Sequence, residues 1–474
     1  MKTDQSRYGH KGLTEVSAVD RVNDRLSETS PSLPHPHQGA RSGAHVLAEA
    51  DPISQQGRTG PVVQHRRTAP NMPQARSGPM VRQAPPGSGV GRAPLPTIPG
   101  QRRLQPLPSR PSARPTTPPQ VRRTTTVVAL VPAHNEREGI AGTVRSLRDQ
   151  TRAPDRIIVV ADNCTDETVM LAREAGAEVV ETVGNVHKKA GALNFALEMV
   201  LPVLRDEDVV LAMDADSRLM PDFVDIGLRH LVGTPDRGAI SGSYVARDDP
   251  RVVALLQRIE YAQGLHTVHS RGGRIHVLSG AACMFSAGAL RKVAALRGSP
   301  ALPGPRGSVY HEESLTEDYE LTVALKRIGY RPVNARDCRV VTDVMDTWQA
   351  WSVQRLRWQR GTLETLFGYG FVQHTRKAWA IQVWTYFRSL IPLLMVAYWG
   401  YALAFESITF QAFWLIVLPV FMLDQLVSAW KAGGRARLWA VCLVPMWLYD
   451  VRQSFVYWKA LFRSLRRTES EWVT

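Results

Sequence analysis

The chain has 474 residues, a formal net charge of +15 and four cysteines. This length holds two or more units with sizeable cores, and the basic balance points to an anionic partner such as a membrane surface, a nucleic acid or a phosphorylated substrate. Cys164, Cys283, Cys338 and Cys442 are scattered without metal-ligand spacing, which excludes a disulfide framework and predicts a reducing compartment; the polar first thirty residues predict no signal peptide.

Residues 1–124 are rich in Pro, Ser, Gly, Gln and Arg and poor in aromatics. Such a segment buries too little apolar area to offset chain entropy, so a basic disordered tail is expected. Pro94 to Pro111 has the composition of a polyproline II ligand, with a solvated tether as the simpler reading. The tail arginines, among them Arg102, Arg103, Arg122 and Arg123, suit anionic lipid or nucleic acid. No aromatics are interleaved, which disfavours a nucleic-acid stacking platform.

Order is expected from Thr125. Val127 to Val131 is a short apolar strand broken by Pro132-Ala133-His134-Asn135-Glu136, and Glu138 to Gln150 follows with Ile140, Val144 and Leu147 at helical spacing. Arg156 to Val160 is a second strand, closed by Ala161-Asp162-Asn163-Cys164-Thr165-Asp166, with Thr165 able to cap a helix Glu167–Ala175. Glu178 to Val180 is a third strand. Gly184 to Gly191, carrying Lys188 and Lys189, leads into a helix Ala192–Leu201, and Val209 to Met213 is a buried strand. This alternation predicts an α/β fold with a largely parallel sheet and helices on both faces. His134-Asn135, Asp162-Asn163 and Asp214 then share one sheet edge.

Asp214-Ala215-Asp216 ends the strand Val209–Met213, where ligands bind in α/β sheets. Two hard oxygen ligands suit Mg2+ or Mn2+ and a substrate diphosphate, while a polar turn is the plainer alternative. Val277 to Phe285 is predicted as a strand whose Ser279-Gly280-Ala281-Ala282 admits a ligand close to the backbone. Ser299 to Ser308 is predicted as a mobile loop. Thr316 is placed as cap of a helix Tyr319–Ile328 ended by Gly329, with Glu317 and Asp318 at its positive end. Val340 to Val344 is the last strand. Gln354, Arg357 and Trp358 share one face of a helix from about Trp348, and an Arg can grip a diphosphate while a Trp stacks on a sugar.

The chemistry changes after about residue 365. Ala378 to Phe387 is predicted to lie in a membrane interface, Leu390 to Phe405 approaches a span, and Phe410 to Trp430 is the better spanning candidate, interrupted by Asp424. Leu438 to Tyr449 and Phe455 to Leu465 span or lie flat. Lys431, Arg435 and Arg437, with Arg463, Arg466 and Arg467, place both basic clusters on the cytosolic side by the positive-inside rule. Two or three crossings fit, and a soluble helical bundle is the alternative.

Six motifs in order, from Val131-Pro132-Ala133-His134-Asn135-Glu136 and Asp162-Asn163 through Lys189 to Asn194, Asp214 to Asp216, Thr316-Glu317-Asp318 and Gln354-x-x-Arg357-Trp358, resemble a family 2 glycosyltransferase over roughly 125–365. The last two are similar to those of the membrane-bound synthases of cellulose, chitin, hyaluronan and poly-N-acetylglucosamine. The resemblance implies a GT-A fold, a nucleotide-sugar donor, a divalent metal (Mg2+ or Mn2+) and inversion. It implies that Asp162, Ala133 and Glu136 line the nucleotide pocket, with Asp162 on uracil. Lys189 would lie near the diphosphate, Asp214 would face the donor and Asp216 would ligate the metal. Asp318 would be the base, with Glu317, Gln354, Arg357 and Trp358 at the diphosphate and acceptor. The expected function is a multi-pass membrane enzyme with a cytosolic catalytic domain, extending a polysaccharide from a UDP-sugar. Single transfer to a lipid or glycoconjugate, and an adaptor with an inactive catalytic fold, are the alternatives.

Overall fold

The structure is a computed structural model that describes residues 125–405 and 414–466. The tail 1–124, the start of the Phe410–Trp430 stretch and Arg467 lie outside the described residues.

In chain order the strands are β1 (Val127–Ala133), β2 (Arg156–Asp162), β3 (Glu178–Thr182), β4 (Val209–Met213), β5 (Arg218–Leu219), β6 (Ala239–Ala246), β7 (Ala282–Ser286) and β8 (Val333–Thr342). They form one sheet in the order β3-β2-β1-β4-β7-β6-β8-β5. From β3 to β4 all neighbours are parallel. Beyond β4 the sheet is mixed: β7 runs antiparallel to both β4 and β6, β8 is parallel to β6, and β5 is antiparallel to β8. The expected largely parallel sheet is therefore corrected. The helix Val252–Ser270 between β6 and β7 touches β6, with Tyr261 on Tyr244, but much of its apolar surface faces the C-terminal helices instead of the sheet. Its Val253, Leu255, Leu256 and Ile259 pack with Trp351, Met446 and Tyr449, so β7 enters from the opposite end.

Helices cover both faces, as the strand sequences require. In β1 and β2, Val128, Leu130, Ile158 and Val160 join one core with the helix Lys188–Val200. The alternate residues Val127, Ala129, Val131, Ile157 and Val159 join another with the helix Ile140–Arg148. A period of two along a strand buried on both sides gives this continuous apolar run.

Several boundaries shift. Thr168–Glu174 has Glu167 at its cap position without a side-chain capping bond; Asp166, one residue earlier, accepts at Oδ1 from the Thr168 backbone at 3.0 Å, whereas Thr165 is occupied with Asn135. The helix expected from Ala192 begins at Lys188, which draws both lysines into its first turn. β7 begins only at Ala282, leaving Ser279 to Ala281 as a loop. Thr316 stands at the cap of the helix Glu317–Arg327, but its hydroxyl makes no capping bond. The last strand is longer than expected, beginning at Val333. The loop Ser299 to Ser308 is irregular and anchored: Leu302 is buried and Arg297 donates to the carbonyl of Pro303 at 2.9 Å.

A third core forms where the helix Trp348–Tyr369 meets the C-terminal helices, around a fully buried Trp351. Arg376–Ala404 is one helix rather than an interfacial piece followed by a span. It is the one helix, among the described residues, long and apolar enough to cross a membrane by length and composition. The described part of the next stretch, Trp414–Ser428, has 15 residues, and Asp424 lies near its end. Gly434–Val441 and Leu443–Leu465 complete the described residues, the latter packed on Trp348–Tyr369. In the basic loop, Arg435 donates to the carbonyl of Pro250, which ties that loop to the α/β unit.

Candidate active site

The chain winds from β1 outward to β3, then crosses back to place β4 on the other side of β1. The connections diverge between β1 and β4, and such a switch point opens a crevice at the carboxyl ends of the strands. β1 runs on through Pro132 and Ala133, past the break expected there, and His134 to Glu136 and Asp214 to Asp216 leave the sheet at that point. Among the described residues, three other than glycine hold positive φ: Asn135 at 53°, Asn163 at 50° and Lys188 at 52°. Asn135 and Asn163 lie in two of the motifs and Lys188 immediately precedes a third, as expected where strain is kept for a binding turn.

Ala133, Glu136, Asp162, Lys189, Asp214, Asp216, Glu317, Asp318, Gln354, Arg357 and Trp358 all line one cleft of about 1930 Å³. The sequence motifs thus converge. Lys189 is the link: its Nζ lies 2.7 Å from Asp214 Oδ1 and 2.8 Å from Glu317 Oε1, joining the turn after β4 to the helix Glu317–Arg327. Gly280 permits this approach, since a Cβ there would stand 2.8 Å from that Nζ. Asp318 accepts from the backbone of Tyr319 at 2.7 Å and of Gly280 at 3.2 Å. Asp162 Oδ1 accepts from Thr182 Oγ1 at 2.6 Å and Asn185 Nδ2 at 2.9 Å, which fixes the carboxylate. Thr143, buried in the helix Ile140–Arg148, donates to the carbonyl of Ala215 or Ser217 and so holds the Asp214–Asp216 turn.

The charges are under tension. Burial, then the neighbouring Asp214, pushes Asp216 up to about 7. Burial, then Glu317, pushes Asp318 up to about 6, with Lys189 opposing. Glu136 is raised by burial and by Asp214. Glu317 is itself lowered: burial acts to raise it, but Lys189 outweighs that. Buried, mutually repelling carboxylates are what a bound cation would relieve. Among the described residues no group of three or more His, Cys, Asp or Glu is placed to hold a metal. The donor set fits a hard divalent ion only if it takes one or two carboxylates and completes its shell with water and substrate phosphate.

Gln354, Arg357 and Trp358 face the cleft from the helix Trp348–Tyr369. The sequence did not reveal what fixes them. Arg355, buried behind the motif, stacks 4.3 Å from the Trp358 ring and donates to Gln354 Oε1 at 2.9 Å. Its charge is paired with Glu260 Oε2 at 2.6 Å, and Tyr449 donates to the same oxygen at 2.6 Å. A C-terminal helix thereby reaches the motif. Gly361 packs on Thr316, so the helix also abuts the segment carrying Asp318. Asp343, just past β8, is a further acid lining the cleft that no local pattern marked. Asn194 clamps the loop ahead of Thr316, accepting from Val309 at 3.1 Å and Tyr310 at 2.9 Å. Glu312 is bonded to Asn194 Nδ2 at 3.0 Å.

A sequence profile described as glycosyltransferase like family 2 matches residues 124–361. The poly-beta-1,6-N-acetyl-D-glucosamine synthase of Staphylococcus aureus (strain COL) is 22% identical over 280 residues, 57% of this chain and 62% of that protein. The synthase of Staphylococcus epidermidis is 24% identical over 248 residues, 50% of this chain and 54% of that protein. The chain therefore spans less than two thirds of the length of these curated relatives. A mannosyltransferase from Pyrobaculum calidifontis, solved with GDP-Man and Mn2+, is 18% identical, with a TM-score of 0.49 over 73% of this chain and 89% of that one. The profile takes in half of the chain, including every motif that converges on the cleft, and the chain belongs to the family 2 glycosyltransferases.

Proposed function

We propose that this glycosyltransferase moves a sugar from a UDP-sugar to a growing polysaccharide, with inversion, at the cytosolic face of a membrane. The observation that carries the reading is the Lys189 bridge between Asp214 and Glu317, beside Asp318 and in one cleft with Asp162 and Asp216. Asp162 and Glu136 would receive the base and ribose, with Ala133 packed against them. The carboxylate of Asp318 takes the proton of the acceptor hydroxyl. The hydroxyl oxygen bonds to the anomeric carbon, and the bond from that carbon to the diphosphate breaks with its electron pair on the diphosphate. Arg357 and Lys189 put positive charge where that negative charge develops. Asp216, with Asp214, would hold Mg2+ or Mn2+, which when bound supplies further charge stabilisation at the diphosphate. Trp358 would stack on the acceptor sugar. Inversion needs one base and no nucleophilic carboxylate, and Glu312, tied to Asn194, does not line the cleft that holds Asp318.

The membrane setting is supported by the helix Arg376–Ala404. Its 29 residues extend about 44 Å, more than the bilayer hydrocarbon core requires. Trp384 and Leu394 on it are 61% and 65% exposed, and large apolar faces of this kind find an apolar surrounding.

A donor screen on detergent-solubilised protein, reading released UDP and product length, tests the reading. Release with one UDP-sugar and products of many sugars are expected. Single additions would move the reading to transfer onto a lipid or glycoconjugate, and no release with any donor would overturn it.

A further inference from the structure

The cleft is charged unevenly. Its acidic residues, Glu136, Asp162, Asp214, Asp216, Glu317, Asp318 and Asp343, belong to the strand-end turns and the first turn of the helix Glu317–Arg327. Farther along that helix, Tyr319, Val323 and Lys326 line the cleft at i, i+4 and i+7, a single helical stripe. Across from its end lie Arg271, Arg274 and Arg331, which also line the cleft. The two segments are fastened together: Lys326 Nζ donates to the carbonyl of Ile275 at 2.7 Å, and Arg274 bridges Val333. No ion pair satisfies these four cations among the described residues, and the three arginines are exposed. A lysine near a helix C-terminus answers the helix dipole, but Arg271, Arg274 and Arg331 lie off the helix and have no such reason to gather.

We infer that the acceptor carries an anionic group, a phosphate or carboxylate, which Arg271, Arg274, Lys326 and Arg331 hold toward the far end of the helix from Asp318, the backbone of Lys326 lying about 12 Å along the axis from that of Asp318. The inference rests on the sugar-transfer step at Asp318, not on a polysaccharide product, and adds the acceptor's chemical class. The attacking hydroxyl sits at Asp318 and the anion lies apart from it, toward the other end of the helix Glu317–Arg327, so the anion is a handle and not the nucleophile. The wall made by Ala378, Ile381 and Thr385 of the helix Arg376–Ala404 also lines this cleft, which leaves two sources for the anion: a soluble phosphorylated sugar or a lipid headgroup.

The test uses the full chain saturated with UDP and Mn2+, so that the acidic end is filled. Inorganic phosphate is titrated in one arm, and phosphatidic acid in neutral-lipid nanodiscs in the other. Saturable binding in either arm supports the inference and names the source. It should weaken about tenfold or more in the combined variant Arg271→Gln, Arg274→Gln, Arg331→Gln, while the matching Arg→Lys variant, which keeps charge and fold, retains it. UDP affinity should be the same in all three proteins. Binding of neither probe, equal binding by the Gln variant, or displacement of UDP by phosphate would each overturn the inference. Failure of UDP itself to bind would instead strike the sugar-transfer reading.

Discussion

At the acidic end of the cleft, acidic side chains from three separate stretches are held by named partners. Asp162 is fixed by Thr182 and Asn185, Asp214 and Glu317 by Lys189, and Asp318 by two backbone amides. Along the helix Arg376–Ala404 the large side chains Trp384, Leu394 and Tyr401 point away from the protein. The first region is specified from within, by a sheet that turns its strand ends toward one point. The second is specified by what surrounds it. A substitution in the first should therefore be read out as chemistry or fold, and one in the second as a change in the company the helix keeps.

The largest expected effect lies at the base. Asp318→Asn keeps the shape and removes the proton acceptor, so transfer should fall by roughly 10²–10⁴-fold with little change in UDP affinity. Equal rates in wild type and variant would remove Asp318 from the role. Next comes the buried support behind it. Arg297 and Glu320 meet at 2.6 Å, and Tyr369 adds a bond to the same carboxylate. Removing one partner strands a buried charge, and Glu320→Ala should cost about 3–5 kcal/mol in unfolding free energy; denaturant titration would show it.

The second region gives the contrasting result. Leu394→Lys should leave folding of the α/β part and UDP affinity intact but disfavour insertion by about 2.5–3.5 kcal/mol, seen as reduced recovery in the membrane fraction. If recovery is unchanged, that face is not in lipid. The smallest effect is a shift in pH profile. Asp318 is pushed up to about 6 and acts only when deprotonated, so kcat should fall as pH drops through about 6 and level off above it. Lys189→Met should move that limb to higher pH, because the ammonium opposes burial at this carboxyl.

The two regions also differ in how far the sequence reveals them. β1, β2 and β4 are unbroken apolar runs because both faces are covered, and the polar residues that end them mark the site. Gln354, Arg357 and Trp358 share a face by spacing alone. β6 escapes notice because Ser241-Gly242-Ser243 looks like a turn. Its buried serines are tolerated because Ser243 donates to Asn334 Oδ1 at 2.9 Å and Ser241 accepts from Ser279 at 3.1 Å, partners far away in sequence. The direction of β7 escapes for a related reason: alternation of elements does not tell whether an intervening helix crosses the sheet or leaves it. Arg355 and Asp343 have no local signature either, since each matters through residues brought together only by the fold. Where apolar period and strand ends decide, the reading holds; where distant polar partners decide, it does not.

The most direct test of the central claim is calorimetric titration of UDP into wild type and Asp216→Ala, each with and without Mn2+. The account predicts that wild type binds UDP in a Mn2+-dependent manner and that the variant loses the dependence. The same Mn2+-dependent affinity in both proteins would contradict a cation held by Asp216 at the diphosphate.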